Sequence, residues 1–240
     1  MRLLMAGSPG SGKGTHGRRL GAFLQIPHIA TGDLLRDQVA KGTPIGREAQ
    51  TYMDRGDYVP DEVMIEMIRL RLADPDAEKG FLLDGFPRTI RQAEELDKLL
   101  ADLGQSIDAM IVLEVPTEEM VRRLSGRRTC PTCQRAYHMD DNPPEDDERC
   151  DDDATPLERR ADDEPETVRH RLKVYADRTA GVIDHYDVDS VVRRVNGEAS
   201  VDEVHERVKQ ALRMTTGDAR SAAPSEDETT TGAAPSEGEL

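Results

Sequence analysis

The segment from Gly7 to Thr15 constrains this chain more than any other feature of its sequence. It reads Gly-Ser-Pro-Gly-Ser-Gly-Lys-Gly-Thr, follows a short apolar run and precedes a helical pattern. Glycines let the backbone curl until several N–H groups face inward, and the N-terminal end of the next helix adds partial positive charge. Lys13 reaches the outer phosphates in such a loop. This context favours a phosphate-binding loop over the alternative, a chance glycine-rich turn.

One position departs from the usual form of this loop. Gly14 stands where a serine or threonine usually follows the lysine, and Thr15 comes one residue later. The sequence therefore does not predict that a hydroxyl directly after Lys13 ligates Mg²⁺.

Short apolar runs alternate with helical patterns through residues 1–214. Runs of this kind suit strands that are covered on both faces of a parallel sheet. Helices with one apolar face are predicted over 91–103 and 201–214, the second with a capping box formed by Ser200 and Glu203. The alternation predicts a doubly wound α/β fold. The predicted strands are Leu3–Ala6, His28–Ala30, Phe81–Leu83, Met110–Leu113 and Val191–Val192.

Two segments fall outside this alternation. Residues 126–163 show no helical period, hold all three cysteines and carry a run of acidic residues from Asp140 to Asp153, so we expect an inserted small domain. Residues 215–240 contain acids and small residues with almost nothing large to bury, and we expect them to be disordered.

The cysteines have the spacing of a metal site. Residues 130–133 read Cys-Pro-Thr-Cys and residues 150–153 read Cys-Asp-Asp-Asp. Three thiolates and a carboxylate can hold one tetrahedral ion and leave no open position for water, so the ion would be structural. The expected ligands of a structural Zn²⁺ are Cys130, Cys133, Cys150 and Asp153. Asp151 or Asp152 is the alternative fourth ligand, and a redox pair or free thiols is the alternative interpretation.

The charge balance excludes some functions. Acidic residues outnumber basic ones 48 to 32, which gives a net charge of −16 and argues against broad binding to nucleic acid or to an anionic membrane. No apolar run approaches the ~20 residues of a membrane span, and the first residues do not form a signal peptide, so we expect a cytoplasmic protein.

Only six of the 32 basic residues are lysine. Such a surface is more typical of a halophilic organism than of an ordinary acidic protein.

Three segments, in order along the chain, resemble the adenylate kinase family. They are the loop at 7–15 with glycine after its lysine, Thr31-Gly-Asp-Leu-Leu-Arg36, and Asp84-Gly-Phe-Pro-Arg-Thr-Ile-Arg-Gln-Ala93. The resemblance covers about residues 1–214. It implies a three-layer fold around a five-stranded parallel sheet, and a monomer that catalyses MgATP + AMP ⇌ 2 ADP. The implied parts are a core domain (1–29, 60–125 and 164–214), an AMP-binding subdomain (30–59) and a zinc-type lid (126–163).

The resemblance also implies roles for individual residues. Arginine suits phosphate because its planar fork binds two oxygens at once. The implied catalytic residues are Lys13, Arg88, Arg127, Arg160, Arg171 and Asp84, the last anchoring the water shell of Mg²⁺. The implied ATP contacts are Gly10, Ser11, Gly12, Lys13, Gly14, Thr15, Arg123, Arg127, Ala136, Tyr137, Gly197 and Ala199. The implied AMP contacts are Thr31, Arg36, Asp57, Tyr58, Val59, Gly85, Phe86, Pro87, Arg88, Gln92, Arg160 and Arg171.

Several of these residues have simpler interpretations. Without the resemblance, Arg88 reads as a surface ion-pair residue and Asp84 as a turn or helix-cap residue. Gln92 lies three residues after Thr89, so its amide can cap a helix instead of binding the adenine of AMP.

For the whole chain, the alternative functions are a kinase for UMP, CMP or GMP, a zinc ribbon that binds nucleic acid, and a nucleotide-binding protein without catalysis. The acidic run argues against the ribbon, and the full set of arginines argues against a non-catalytic protein.

Overall fold

The computed structural model describes residues 1–146 and 148–221, and its centre is a five-stranded parallel sheet. Along the chain the strands are β1 (Arg2–Ala6), β2 (His28–Ala30), β3 (Phe81–Asp84), β4 (Ala109–Glu114), β5 (Arg127–Thr129), β6 (Ala136–His138) and β7 (Val192–Asn196). The sheet has the order β2-β3-β1-β4-β7, while β5 and β6 form a separate antiparallel pair. The first four predicted strands of the sheet are confirmed. The fifth lies further along the chain than predicted, over Val192–Asn196 instead of Val191–Val192.

Helices cover both faces of this sheet, as the alternating pattern predicts. They are α1 (Lys13–Leu24), α2 (Thr31–Ala40), α3 (Pro44–Met53), α4 (Asp61–Leu72), α5 (Ile90–Asp102), α6 (Thr117–Ser125), α7 (Pro165–Asp187) and α8 (Val201–Ser221). Short 3₁₀ turns occupy Pro75–Ala77 and Ala161–Asp163. The capping box predicted before α8 is present. The Glu203 carboxylate accepts from the Ser200 backbone N–H and hydroxyl, and the Ser200 hydroxyl accepts from the Glu203 backbone N–H.

The sheet divides the hydrophobic core in two. Leu4 and Leu83, paired in register on β1 and β3, face a cluster that includes residues of α4, α5 and α7. Leu3 and Leu82, also paired, face the opposite cluster, which includes residues of α1 and α8. Because both faces are buried, the strands read as continuous apolar runs instead of alternating ones.

The order of the strands determines where a ligand can bind. From β1 the chain crosses to β2 at one edge, whereas from β3 it crosses to β4 on the other side of β1. In open α/β sheets the crevice lies at the carboxyl ends of strands that diverge in this way. The loop at 7–15 follows β1 and the segment 84–92 follows β3. These two of the three segments that resemble the family therefore meet at this crevice.

Two segments extend from the sheet. Helices α2 and α3 follow β2 and form the first segment. The second contains the β5–β6 pair, which makes isolated bridges from Thr129 to Glu158 and from His138 to Asn142. The second segment has a small core of Cys130, Tyr137 and Cys150.

The end of the described chain differs from the prediction of disorder over 215–240. Helix α8 continues to Ser221, because a helix that is already nucleated adds residues at little cost. Residues 222–240 lie outside the described residues. Among the described helices, none has the length and apolar character that a bilayer crossing requires.

Candidate functional site

Backbone geometry of the 7–15 loop requires glycine at three positions. Gly7, Gly10 and Gly12 have φ angles of 143°, 87° and 94°. A Cβ on Gly7 would lie 2.8 Å from the Leu113 carbonyl oxygen, and one on Gly10 would lie 2.8 Å from that of Met120. Helix α1 begins at Lys13, directly after the left-handed Gly12. The loop therefore curls against its neighbours and places a helix N-terminus at its open side.

Lys13 lies inside this loop. Its Nζ donates to the carbonyl oxygens of Gly7, at 2.6 Å, and Ser8, at 2.9 Å. Burial lowers the pKa of Lys13 to about 7, while the nearby Asp84 carboxylate opposes the shift and Arg88 and Arg171 add to it. Lys13 is thus a buried amine close to Asp84 and to two arginines, and a bound anion would favour its charged form.

Asp84 ends β3 and faces the same loop. Although burial by itself raises the pKa of this carboxyl, its hydrogen bond with His28 and the charge of Lys13 bring the pKa below its ordinary value. The distance from His28 Nε2 to Asp84 Oδ2 is 3.2 Å. An ionised carboxylate beside a phosphate loop is the hard oxygen donor that Mg²⁺ prefers, so the residues present fit this ion. His28 was not predicted as a site residue, because in the sequence it reads only as part of a strand.

The segment after β3 holds Arg88. Gly85 has a φ of 77°, and its carbonyl oxygen accepts from Nε of Arg88 at 2.7 Å. The Arg88 guanidinium lies over the ring of Tyr58, 5.0 Å from its centre. From α7, the Thr179 hydroxyl donates to the Arg88 carbonyl oxygen at 3.1 Å and lies 2.9 Å from the Tyr58 hydroxyl. Arg88 is therefore oriented by three separate parts of the chain and is not a surface ion-pair residue.

Gln92 makes the capping interactions that the sequence offered as one alternative. Its backbone N–H donates to the Thr89 hydroxyl at 3.2 Å, and its Oε1 accepts from the Arg88 N–H at 2.8 Å. Its Nε2 donates to Asp61 at the start of α4, at 2.7 Å. With 1% of its surface exposed, Gln92 is fixed on both sides of its amide.

The lid and α7 contribute a cluster of arginines held by aspartates. Arg127 binds the Asp163 carboxylate with Nε at 2.8 Å and Nη2 at 2.5 Å. Arg171 binds Asp162 through a 2.7 Å ion pair. Burial, reinforced by Arg127, lowers the pKa of Arg160 to about 9. This clustering of buried positive charge in an acidic protein indicates a polyanionic ligand.

An open cleft lies beside these groups. It brings together eight of the residues predicted to bind AMP, namely Thr31, Arg36, Asp57, Tyr58, Val59, Arg88, Gln92 and Arg171. Gly85, Phe86, Pro87 and Arg160 are not among its lining residues. Phe86 is 3% exposed and belongs to the core under the cleft. Leu35, Met53 and Met64 also line the cleft, and these apolar side chains were not predicted because they read as helix core.

The residues predicted to bind ATP outside the 7–15 loop lie on α6, β5, β6 and the loop between β7 and α8. Arg123 on α6 donates from Nη2 to the Gly197 carbonyl oxygen at 2.9 Å, and its Nε pairs with Glu119. A Cβ on Gly197 would lie 3.7 Å from the Ser11 carbonyl oxygen, so the β7–α8 loop, which also carries Ala199, is next to the phosphate loop. Ala136 and Tyr137 are on β6, where the Tyr137 side chain is buried in the lid core.

The four predicted metal ligands come together in the lid. One donor atom from each of Cys130, Cys133, Cys150 and Asp153 lies within 4.8 Å of the others. The Sγ atoms of Cys133 and Cys150 are 3.5 Å apart, and the Asp153 oxygens lie 3.4 and 3.5 Å from Cys130 Sγ. The donor set of three sulfurs and a carboxylate fits a tetrahedral Zn²⁺.

The other two aspartates of that segment have different partners. Asp151 accepts from the Glu145 N–H at 2.8 Å and pairs with Arg135 at 3.1 Å. Asp152 also pairs with Arg135, and its Oδ2 is 3.9 Å from Cys133 Sγ. These contacts favour Asp153 as the fourth ligand.

Known proteins are similar to this sequence over most of its length. The family model described as adenylate kinase matches residues 5–191. An adenylate kinase of Salinispora tropica is 48% identical over 217 residues, which cover 90% of this chain and 100% of the relative. Adenylate kinases of Oceanobacillus iheyensis and Acidothermus cellulolyticus are 47% and 49% identical and cover 88% and 89% of this chain, with 99% and 98% of their own lengths matched.

Proposed function

The chain belongs to the adenylate kinase family and catalyses phosphoryl transfer between ATP and AMP, and we propose that the reaction takes place in the crevice between the 7–15 loop and the 84–92 segment. One observation carries this assignment. Lys13 lies in the loop after β1 and Arg88 in the segment after β3, and these two strands are paired side by side, so two fixed cations meet at one crevice although the chain as a whole carries a charge of −16.

The two nucleotides would occupy opposite sides of this crevice. We assign AMP to the cleft lined by Thr31, Arg36, Arg88 and Gln92, with the two arginines on its phosphate. We assign the ATP phosphates to the curled loop around Lys13, and the ATP adenine to the surface between Arg123 and Gly197. The two phosphate chains would then meet near Arg127, Arg160 and Arg171.

Phosphoryl transfer needs alignment, charge stabilisation and exclusion of water more than covalent help from the protein. Arg88 is pre-oriented by Tyr58 and Thr179, so it contributes a fixed positive charge without reorganisation. The Asp162 and Asp163 carboxylates hold Arg171 and Arg127 in place. Mg²⁺ bound with ATP would neutralise phosphate charge, and Asp84 is the residue that would hold its water shell.

The segments 30–59 and 126–163 are proposed to act as two covers over the nucleotides, with 1–29, 60–125 and 164–214 as the core. In this structure they contact each other, since Nε of Arg36 donates to Oε1 of Gln134 in the lid at 3.0 Å. Closing both would exclude water from the transferred group.

A structural Zn²⁺ on Cys130, Cys133, Cys150 and Asp153 would give the lid its fold. Among the described residues of the lid, the cluster of buried apolar side chains consists of Cys130, Tyr137 and Cys150, so burial alone supports its fold weakly. We further propose that the protein acts as a monomer in the cytoplasm, without nucleic acid or membrane partners, in keeping with its charge.

The acceptor is tested by a coupled assay of AMP, UMP, CMP and GMP, each with MgATP. We expect kcat/KM for AMP to exceed that for each of the others by at least about tenfold, the scale of one well-placed hydrogen bond in a buried site. Equal values for AMP and GMP would refute the assignment of the adenine site to Gln92.

A further inference from the structure

Asp61 connects the first turns of two helices at the base of the AMP cleft. It is the first residue of α4, and its carboxylate faces the beginning of α5. Its Oδ2 accepts from the Thr89 hydroxyl at 3.0 Å, and its Oδ1 accepts from Nε2 of Gln92 at 2.7 Å. A carboxylate is favourable at this place because the N-terminal ends of both helices carry partial positive charge.

These contacts determine which way the Gln92 amide points. The Arg88 backbone N–H requires an acceptor and bonds Oε1 at 2.8 Å, whereas the Asp61 carboxylate requires a donor and bonds Nε2. In the flipped orientation an NH₂ group would face an N–H and a carbonyl would face a carboxylate. Since both clashes would fall on an amide that is 1% exposed, only the observed orientation satisfies the site.

After these bonds are made, the amide retains one N–H and one oxygen lone pair. A 6-aminopurine offers a ring nitrogen acceptor beside an amino donor, which matches such an amide edge. A 6-oxopurine offers the reverse, a ring N–H beside a carbonyl. An amide that is held in place binds the first and rejects the second, because a polar site left unpaired is costly.

We propose that Asp61 is a positioning residue that determines base specificity: by holding Gln92 in one place and orientation, it makes the acceptor site selective for a 6-aminopurine monophosphate. The inference rests on the proposed function, in which Gln92 contacts the base of AMP. It differs from a purely structural role, in which Asp61 would only join α4 to α5, because a structural role would not affect the choice between two purines.

The experiment compares AMP with inosine monophosphate, its 6-oxo counterpart, as acceptor for MgATP. Asp61→Leu keeps a similar size but cannot accept a hydrogen bond. We expect the ratio of kcat/KM for AMP to that for inosine monophosphate to fall by about tenfold or more, the scale of one hydrogen bond to a charged group. Asp61→Asn retains an acceptor oxygen toward Nε2 and should keep the ratio within about threefold of wild type. KM for ATP should not change in either variant.

A matched control is available one residue away. Glu62 is an exposed acid in the same first turn, paired with Arg91 at 2.6 Å, and Glu62→Leu removes the same charge from the same helix end. It should leave the ratio unchanged. If Asp61→Leu is too unstable to assay, Asp61→Ala serves the same purpose at this partly exposed position.

The outcomes separate the inference from the proposed function. A ratio that is unchanged in Asp61→Leu and Asp61→Ala but reduced in Gln92→Ala overturns the role of Asp61 and leaves the adenine site intact. A ratio that is unchanged in Gln92→Ala overturns the adenine site itself. A fall in Asp61→Leu equal to that in Glu62→Leu would assign the effect to helix charge and also overturn the inference.

Discussion

The guanidinium group of Arg88 lies over the aromatic ring of Tyr58, with its central carbon 5.0 Å from the ring centre. Arg88 follows β3 in the core, whereas Tyr58 belongs to the chain that returns from α3. Thr179 on α7 joins them, since its hydroxyl donates to the Arg88 carbonyl oxygen and lies within hydrogen-bonding distance of the Tyr58 hydroxyl. The Thr179 hydroxyl has a single hydrogen, so it accepts from Tyr58. The cation that we assign to the AMP phosphate is thus held through backbone and side chain together.

Thr179→Val should weaken AMP binding selectively. The change leaves the Arg88 carbonyl and the Tyr58 hydroxyl without their partner, and Thr179 is 3% exposed. We expect KM for AMP to rise by about five- to tenfold, the equivalent of one hydrogen bond, with KM for ATP unchanged. Thr179→Ser keeps the hydroxyl and should behave like wild type in steady-state assays. Equal effects of the valine and serine variants would show that packing, not the hydroxyl, matters at this position.

Arg88→Ala should lower kcat by about 10²-fold or more, the scale for removing a preorganised charge from a transition state. The fold should persist, because Arg88 lies in the segment after β3 and outside the hydrophobic core. Arg91→Ala is the matched control, since Arg91 is exposed and pairs with Glu62 at the surface. Turnover and melting temperature of both variants would be measured together. Near wild-type turnover of Arg88→Ala would reduce Arg88 to a structural role.

His16 should make the protein less stable in mild acid. Burial, with a contribution from the stacked His205 ring 6.2 Å away, lowers the pKa of His16 to about 4. Between this value and the ordinary pKa near 6.5, the unfolded chain binds a proton that the folded chain does not. Stability is therefore complete above about pH 6.5 and is lost as the pH falls. From pH 7.5 to pH 5 the loss should be about 2 kcal/mol.

The measurement is urea unfolding of wild type and His16→Gln at both pH values. The glutamine variant should lose about 2 kcal/mol less than wild type over this interval, because other titrating groups contribute equally to both proteins. The same pH dependence in both proteins would show that His16 is protonated to the same extent in the folded and unfolded chain.

The metal site should contain about one zinc ion per chain. Asp153→Ala should lower zinc retention during dialysis against a chelator, whereas Asp152→Ala should not, since Asp152 is paired with Arg135. Elemental analysis of freshly purified, reduced protein provides the readout. Because binding energy would act as folding energy for the lid, hydrogen exchange in 126–163 should speed up before that of the core when the metal is removed. Reduced wild-type protein that contains no metal would contradict this assignment. So would loss of zinc from Asp152→Ala but not from Asp153→Ala.

Some of these features were determined by the sequence alone, because short stretches of chain specify them. The 7–15 loop needs glycine where φ is positive, and Gly7, Gly10 and Gly12 meet that need. The five strands follow from apolar runs that only a doubly covered sheet can bury. The Cys-x-x-Cys spacing, with Cys150 and Asp153 later in the same segment, predicted the four donors that the lid brings together.

Other features were decided only by the tertiary structure, since they depend on residues that are far apart in sequence. Asp61 meets Gln92 across 31 positions, His28 meets Asp84 across 56, and Thr179 meets Arg88 across 91. Nothing local distinguishes Asp61 from any acid in a first helical turn, or Thr179 from any threonine on a buried helix face. Their partners are set by how α4, α5 and α7 pack on one face of the sheet. The residues that would carry the phosphates could therefore be predicted from short patterns, whereas the residues that orient them could not.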